Sequence, residues 1–281
     1  MVDRRRSFAR RMVPVAAVAL TLAFPITTRS AAGPLPGFVV DSRAAIAPGG
    51  PIAAGFDLTI HRLATPAAKL HLVTLYVPTD GAVVTIRAVN RQGDAETLVT
   101  RAGCPASAAA INGGFYIRDQ AGARPLGLVR IDGVTRSKPS KRKFGGFLVV
   151  ADGRLAVLPR DAVAPALKAA YAIESSPRLM EGGVGGIRGD NGERFDRVAI
   201  GTSADGGVLV IGVFGEDQDT VRMGEFSTLA AAAAGLAGHP ARDLIAMDGG
   251  PSAHIRLGAQ GKFYGYRGPA FLPNVVCLAK S

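Results

Sequence analysis

Two ten-residue blocks, 107–116 (SAAAINGGFY) and 244–253 (LIAMDGGPSA), share one build. Each runs from small or apolar residues into one polar residue, Asn112 or Asp248, and then into Gly-Gly: Gly113-Gly114 and Gly249-Gly250. A short apolar run reads as a buried strand. Asp248 therefore stands at the end of one, where a carboxylate is costly unless it is paired or put to use. The glycines remove side chains, so a ligand or another backbone can come close. Asp-Gly and Asn-Gly are also hairpin signals, and singly each block reads equally well as a tight structural turn. As a pair they imply two loops meeting over one cleft. The chain's other Asp-Gly pairs, at Asp80, Asp132, Asp152 and Asp205, sit among polar or alternating neighbours and read as plain turns.

Residues 1–32 read as a signal peptide rather than fold. Arg4, Arg5, Arg6, Arg10 and Arg11 form a basic start, residues 12–25 are mostly apolar, and Ser30-Ala31-Ala32 offers a small-residue cleavage site. The apolar part is short of the roughly 20 residues of a membrane span. Arg5-Arg6-Ser7-Phe8 also fits a twin-arginine signal, and an uncleaved N-terminal anchor is the alternative to cleavage. A periplasmic or secreted protein is expected, with no stable membrane span after cleavage. These residues carry six Arg and one Asp of the +11 formal charge, which leaves +6 for the rest. That mild excess suits an anionic substrate or plain solubility, and no nucleic-acid partner is expected. Cys104 and Cys277 in an exported chain can form one disulfide or remain as two buried thiols.

Residues 33–52, rich in Gly, Pro and Ala, read as a loosely ordered N-terminal arm, and 53–281 as one domain. Strand-like runs at 56–61, 70–77, 83–89, 126–131, 147–150, 155–158, 198–201 and 208–214 are closely spaced, often across Asp-Gly turns, which predicts hairpins. One helix is predicted over 228–237, capped by Ser227, with Leu229, Ala232, Ala233 and Leu236 on one face. A shorter one is predicted within 161–171, bent by Pro165. Few helices among many strands give an α+β fold: a single domain, mostly antiparallel or mixed β-sheet with the helices packed on it.

Two further charged residues mark candidate chemistry. Glu174 follows the apolar run 171–173 and can serve as a general acid or base. Arg197 precedes the strand 198–201 and can clamp a phosphate. For each, the plain alternative is a strand-end residue with an ordinary salt-bridge partner. The basic run SKPSKRKF (137–144) reads as a solvated loop or as a steering patch for an anionic polymer. The four histidines show no metal-ligand spacing, and no Walker or dinucleotide motif is present.

In this order, AAINGGFY, PLGLVRIDG, IESSPRLMEGG, RVAIGTSADGGVLVIGV, the helix after Ser227 and IAMDGGPSA resemble the phosphodiester glycosidase family, domains similar to the catalytic domain of the mannose-6-phosphate uncovering enzyme. The resemblance spans roughly residues 56–278. It implies hydrolysis of a sugar-1-phosphodiester, releasing the sugar and leaving a phosphomonoester. Asn112, Glu174, Arg197, Asp248 and Ser252 match the polar positions of the family motifs. The chain departs from the family in two places: the family often has Gln where Glu174 stands, and Thr where Val198 stands.

The residue types suit that chemistry. An oxocarbenium-like transition state needs a carboxylate near the anomeric carbon, and Asp248 is expected there as nucleophile or base. Arg197 and the N–H groups of Gly113 and Gly114 are expected to stabilise the leaving phosphate. Asn112, Gly249, Gly250 and Ser252 complete the expected binding set, with Glu174 beside Asp248 and Arg197 in the catalytic set. The expected substrate is a phosphorylated glycan or glycolipid. No cofactor and no metal ligand set are expected, although Asp248 could contribute to holding a single divalent cation. A non-catalytic binding module for phosphorylated sugars, or a metal-dependent phosphodiesterase, are the alternatives.

Overall fold

The computed structural model describes residues 39–41, 56–64, 69–105, 108–120, 122–141, 145–185, 187, 192–215, 220–258 and 261–280. All of them fall in the unit Ala32–Ser281. In chain order the strands are β1 (Val39–Asp41), β2 (Asp57–Ala64), β3 (Lys69–Val77), β4 (Ala82–Asp94), β5 (Ala109–Asn112), β6 (Tyr116–Asp119), β7 (Gly122–Pro125), β8 (Val129–Ile131), β9 (Val134–Ser137) and β10 (Gly146–Ala151). They continue with β11 (Arg154–Pro159), β12 (Tyr171–Ser175), β13 (Arg178–Glu181), β14 (Val184–Gly185), β15 (Arg197–Ser203), β16 (Val208–Gly215), β17 (Ala241–Ala246), β18 (His254–Leu257), β19 (Lys262–Gly265) and β20 (Pro269–Lys280). The α-helices are α1 (Ala95–Arg101), α2 (Val163–Lys168) and α3 (Met223–Leu236).

Three large sheets enclose a shared core. Their strand orders are β1-β2-β3-β16-β15-β17-β13-β14, β19-β18-β5-β20-β4 and β11-β10-β12-β8-β9. The pairings among the described strands are antiparallel. Side chains alternate between faces along a strand, and β16 shows the consequence. Val208 and Val210 enter the shared core with Ile111, Ile173, Ile255 and Val276, while Leu209, Ile211 and Val213 face the other way, toward α3. Each sheet buries its outer face under one helix: α3 on the eight-stranded sheet, α1 on the β5–β20 face, and α2 on the β10–β12 face. Few helices on many strands is the expected α+β plan.

The hairpins at Asp132-Gly133, Asp152-Gly153 and Asp205-Gly206 form as predicted, joining β8–β9, β10–β11 and β15–β16. Asp132 and Asp152 adopt φ of 49°, the left-handed conformation that Asp-Gly hairpin turns require. Asp80-Gly81 is different. β3 pairs with β16 and β2, whereas β4 pairs with β20, so this turn moves the chain from one sheet to another. A turn sets local reversal but not which strand becomes the neighbour.

The long helix also differs from its expected start. It begins at Met223, where the Arg222 N–H donates to the Glu225 carboxylate at 2.9 Å, so Ser227 lies inside it and donates its hydroxyl to the Leu179 carbonyl. Its buried face carries Phe226, Leu229, Ala230, Ala233 and Ala234, and Leu236 is exposed. The shorter predicted helix forms at Val163–Lys168, with Pro165 in its first turn, where a missing N–H costs little. α1 escapes sequence reading because seven residues give little periodicity; Asp94 caps it by accepting from the Thr97 N–H at 2.8 Å. The signal segment and most of the expected arm lie outside the described residues. Val39–Asp41 within that arm forms an edge strand opposite Leu63 and Ala64. Among the described residues, no helix is long and apolar enough to cross a membrane.

Cys104 and Cys277 are joined in a disulfide, with Cα atoms 5.6 Å apart. The bond ties the segment after α1 to β20, beside Leu98, Val99 and Ala110. It closes a sequence separation of 173 residues, which in the chain-entropy treatment stabilises by up to about 5 kcal/mol. We expect Cys277→Ser, measured by urea unfolding, to lower stability by about 2–5 kcal/mol, and dithiothreitol to reproduce the loss in the unaltered protein.

Candidate active site

The two Gly-Gly loops meet. Asn112 ends β5 and Asp248 stands two residues past the end of β17, and the loops are bonded directly: the Asn112 Nδ2 donates to the Asp248 carbonyl at 2.8 Å, and the Asp248 N–H donates to the Gly113 carbonyl at 3.2 Å. The Asn112 Oδ1 accepts the His254 N–H at 3.1 Å. One buried amide side chain thus ties β5, the Asp248 loop and β18 together, using both of its ends as burial requires.

The glycines of the two loops serve different purposes. A Cβ on Gly113 would fall 1.7 Å from the Asn274 Oδ1, and one on Gly114 would fall 2.7 Å from the Ile173 Cγ2. Protein atoms fill these spaces, not an open path for a ligand. The N–H groups of Gly113 and Gly114 are also taken, by the Asn274 backbone carbonyl at 2.9 Å and its side-chain Oδ1 at 3.2 Å. They are therefore not the phosphate donors expected from the sequence; Asn274 is their acceptor. On the second loop, a Cβ on Gly249 would sit 3.3 Å from the Arg197 Nη1, and Gly250 adopts φ of 59° against the Phe195 ring. These two glycines keep the loop low beside Arg197 and Phe195.

Backbone bonds Met247 N–H to Val198 carbonyl (2.8 Å) and Gly250 N–H to Asp196 carbonyl (2.9 Å) lay the Asp248 loop along the start of β15. Arg197 and Asp248 are brought together there. The Asp248 carboxylate accepts from the Gly249 N–H at 3.0 Å and from the Ser252 hydroxyl. Desolvation pushes its pKa up to about 6, against the pull of these donors and of the Arg197 charge. The Arg197 guanidinium is buried, donates from Nη2 to the Glu193 carbonyl at 3.1 Å, and lies over the Phe195 ring, 5.1 Å from its centroid.

Glu174 lies close by but is otherwise engaged. Its carboxylate accepts from the Leu128 N–H (3.0 Å), the Ser140 N–H (2.8 Å) and the Ser140 hydroxyl, with Arg160 at 3.6 Å. It anchors two loops, and an acid so fully bonded has a structural job whatever else it does. Through Ser140 it holds one end of the basic run; residues 142–144 of that run lie outside the described residues. The next residue, Ser175, donates its hydroxyl to the Ala246 carbonyl at 2.5 Å, bracing β17 two residues before Asp248. His254 is fully buried and stacks on Phe263, and burial lowers its pKa to about 4, so it is neutral at pH 7.

Three residues of this site escape sequence reading. Asp196 and Phe195 stand immediately before Arg197, and the FDRV run carried the signal: two groups of unlike character directly ahead of a buried strand. Asn274 is the one amide in the apolar run 270–279. Asp196 is completely buried; its carboxylate accepts from the Gly215 N–H at 3.1 Å, and desolvation raises its pKa to about 7. Among the described residues no group of three or more His, Cys, Asp or Glu side chains is placed to hold a metal ion. A cleft of about 820 Å³ lies elsewhere, at the opposite end of β15–β17, between Tyr76, Thr202, Asp205 and Arg242. Its residues share nothing with the Asp248 cluster.

Residues 106–273 match the sequence profile of the family described as phosphodiester glycosidase. No curated protein sequence matches the chain. Among solved structures, the chain is similar to the catalytic domain of zebrafish N-acetylglucosamine-1-phosphodiester alpha-N-acetylglucosaminidase, auto-inhibited by its pro-peptide. There the identity is 15%, the TM-score 0.59, and the match covers 87% of this chain and 89% of that one. A protein from Synechocystis matches at 14% identity and TM-score 0.57, over 80% of this chain; this chain spans 62% of that protein's length. A candidate exported protein from Burkholderia pseudomallei matches at 14% identity and TM-score 0.51, over 78% and 76% of the two chains.

A raised carboxylate pKa means that the folded protein holds the proton more tightly than the unfolded chain. The stability this gives is full below about pH 4 and is lost as pH rises through about 7 for Asp196. We expect urea unfolding to show stability falling between about pH 4 and 7, and Asp196→Asn to flatten that fall by about 1–3 kcal/mol.

Proposed function

The chain belongs to the phosphodiester glycosidase family, and on that premise we propose that it hydrolyses a sugar-1-phosphodiester bond, with Asp248 as the carboxylate that meets the anomeric carbon and Arg197 as the phosphate clamp. The observation that carries this reading is the placement of Asp248: desolvated, with a pKa raised to about 6, beside a buried guanidinium, on a loop fixed from both sides. A carboxylate that is ionised at neutral pH yet poorly solvated is a ready nucleophile or general base.

The oxocarbenium-like transition state builds positive charge at the anomeric carbon, and Asp248 stabilises or captures it. The departing phosphate needs charge stabilisation more than a proton. With the Gly113 and Gly114 N–H groups bound to Asn274, that task falls to Arg197, which is already oriented by Glu193 and Phe195 and so needs little reorganisation. Ser252 holds the Asp248 carboxylate, and Asn112 holds its backbone. Glu174 acts by anchoring the loops around Leu128 and Ser140. The substrate class is an anionic glycan or glycolipid. The protein works outside the reducing cytosol, a reading supported by its basic-then-apolar N-terminal segment and by a disulfide that persists where conditions are oxidising.

The test is hydrolysis of a sugar-1-phosphodiester in ¹⁸O water, with and without chelator, alongside Asp248→Asn. We expect label in the sugar, no effect of chelator, and a loss of about 10³-fold or more in kcat for the folded variant. Label in the phosphate would mean attack at phosphorus, and chelator sensitivity would then make the protein a metal-dependent phosphodiesterase. Saturable binding of the substrate without turnover would make it a binding module.

The acting form of Asp248 is ionised, so activity follows its titration. We expect kcat/KM to level off above about pH 6 and to fall by about tenfold per unit below it.

A further inference from the structure

Phe195 is the one exposed phenylalanine among the described residues, with 37% of its surface open, in a chain that has no tryptophan. Scattered exposed apolar residues are ordinary, but this ring is neither scattered nor loose. Its N–H donates to the Val221 carbonyl at 3.1 Å, and its carbonyl accepts the Thr220 hydroxyl at 2.5 Å, so the backbone is held from both sides just ahead of α3. The Arg197 guanidinium lies over the ring. Gly250 lies against its edge, where a Cβ would begin 3.4 Å from the Phe195 Cδ1. The remaining surface of the ring is open to solvent, beside the guanidinium and beside Gly250, two residues after Asp248.

We propose that Phe195 is the platform on which the sugar of the substrate packs, and so a residue that selects a glycosyl phosphate over a bare phosphate ester. This deepens the hydrolase reading and rests on it. The face of a pyranose that presents its C–H bonds is apolar and slightly positive, the complement of the negative face of an aromatic ring. A phosphate held by Arg197 carries its glycosyl group one ester bond away, over the neighbouring ring. The same ring holds the guanidinium flat, so one side chain orients the anion clamp and receives the group attached to the anion.

The absence of tryptophan makes a direct test available: Phe195→Trp introduces the chain's sole indole at the proposed platform. The variant is titrated with glucose 1-phosphate, mannose 1-phosphate and N-acetylglucosamine 1-phosphate, and separately with inorganic phosphate and methyl phosphate. We expect a saturable change in indole emission with at least one sugar phosphate and none with inorganic phosphate or methyl phosphate. An equal response to inorganic phosphate, or no response to any sugar phosphate, overturns the platform. This readout needs no turnover. A protein that binds sugar phosphates here without hydrolysing them keeps the platform and loses the hydrolase reading, and hydrolysis with a silent indole does the reverse. In the active protein, Phe195→Leu is expected to raise KM by about three- to tenfold, the scale of one aromatic contact, with a smaller loss in kcat from the loosened Arg197 and with rescue of both by Phe195→Tyr. An equal loss in kcat that Phe195→Tyr restores would reduce the ring to a support for Arg197.

Discussion

The Asn112 amide is the interaction on which the site depends. It sits at the end of β5, buried, and spends its donor on the Asp248 carbonyl and its acceptor on the His254 N–H. These partners come from a different sheet and from the next strand of its own. A buried amide left half satisfied costs about 1–3 kcal/mol, so the geometry in which both ends are met is strongly preferred. Fixing the Asp248 backbone in this way also fixes where its carboxylate lies relative to Arg197, because the same loop is bonded to β15 through Met247 and Gly250.

Around that anchor the site is a set of desolvated charges with assigned partners. Asp248, Asp196 and Arg197 are all withdrawn from water to different degrees, and the two acids answer by holding protons more tightly than usual. Arg197 cannot answer in that way, since a guanidinium stays charged, and is stabilised instead by the Glu193 carbonyl and the Phe195 ring. Such a permanently charged, preoriented donor suits an anion, and Asp248 alongside suits a developing cation. Glu174 shows the contrasting case of an acid whose donors bind it into the scaffold.

Several features were legible in the chain because their causes are local. Asp132-Gly133 and Asp152-Gly153 form hairpins since Asp and Gly accept positive φ wherever they stand. The meeting of the two Gly-Gly loops could be read from their shared build. The start of α3 was misread because Ser227 is a good cap residue in sequence, while the cap that formed uses Arg222 and Glu225, three residues apart, and burial of Phe226 in the core. The destination of β4 could not be read at all, since Asp80-Gly81 looks like its hairpin-forming counterparts.

Neighbouring residues along the chain set the period of each strand, the turns between them, and the polar residues standing at the ends of two apolar runs. Those follow from backbone conformational preference and from the cost of burying a charge, both properties of a few consecutive residues. The tertiary structure alone decided which sheet each strand joins, that Cys104 faces Cys277, that Asn274 consumes the Gly113 and Gly114 donors, and that Phe195 stays exposed beside Arg197. Each of these is a pairing between groups far apart in the chain, and only the packing of the sheets around one core sets the distances that decide them.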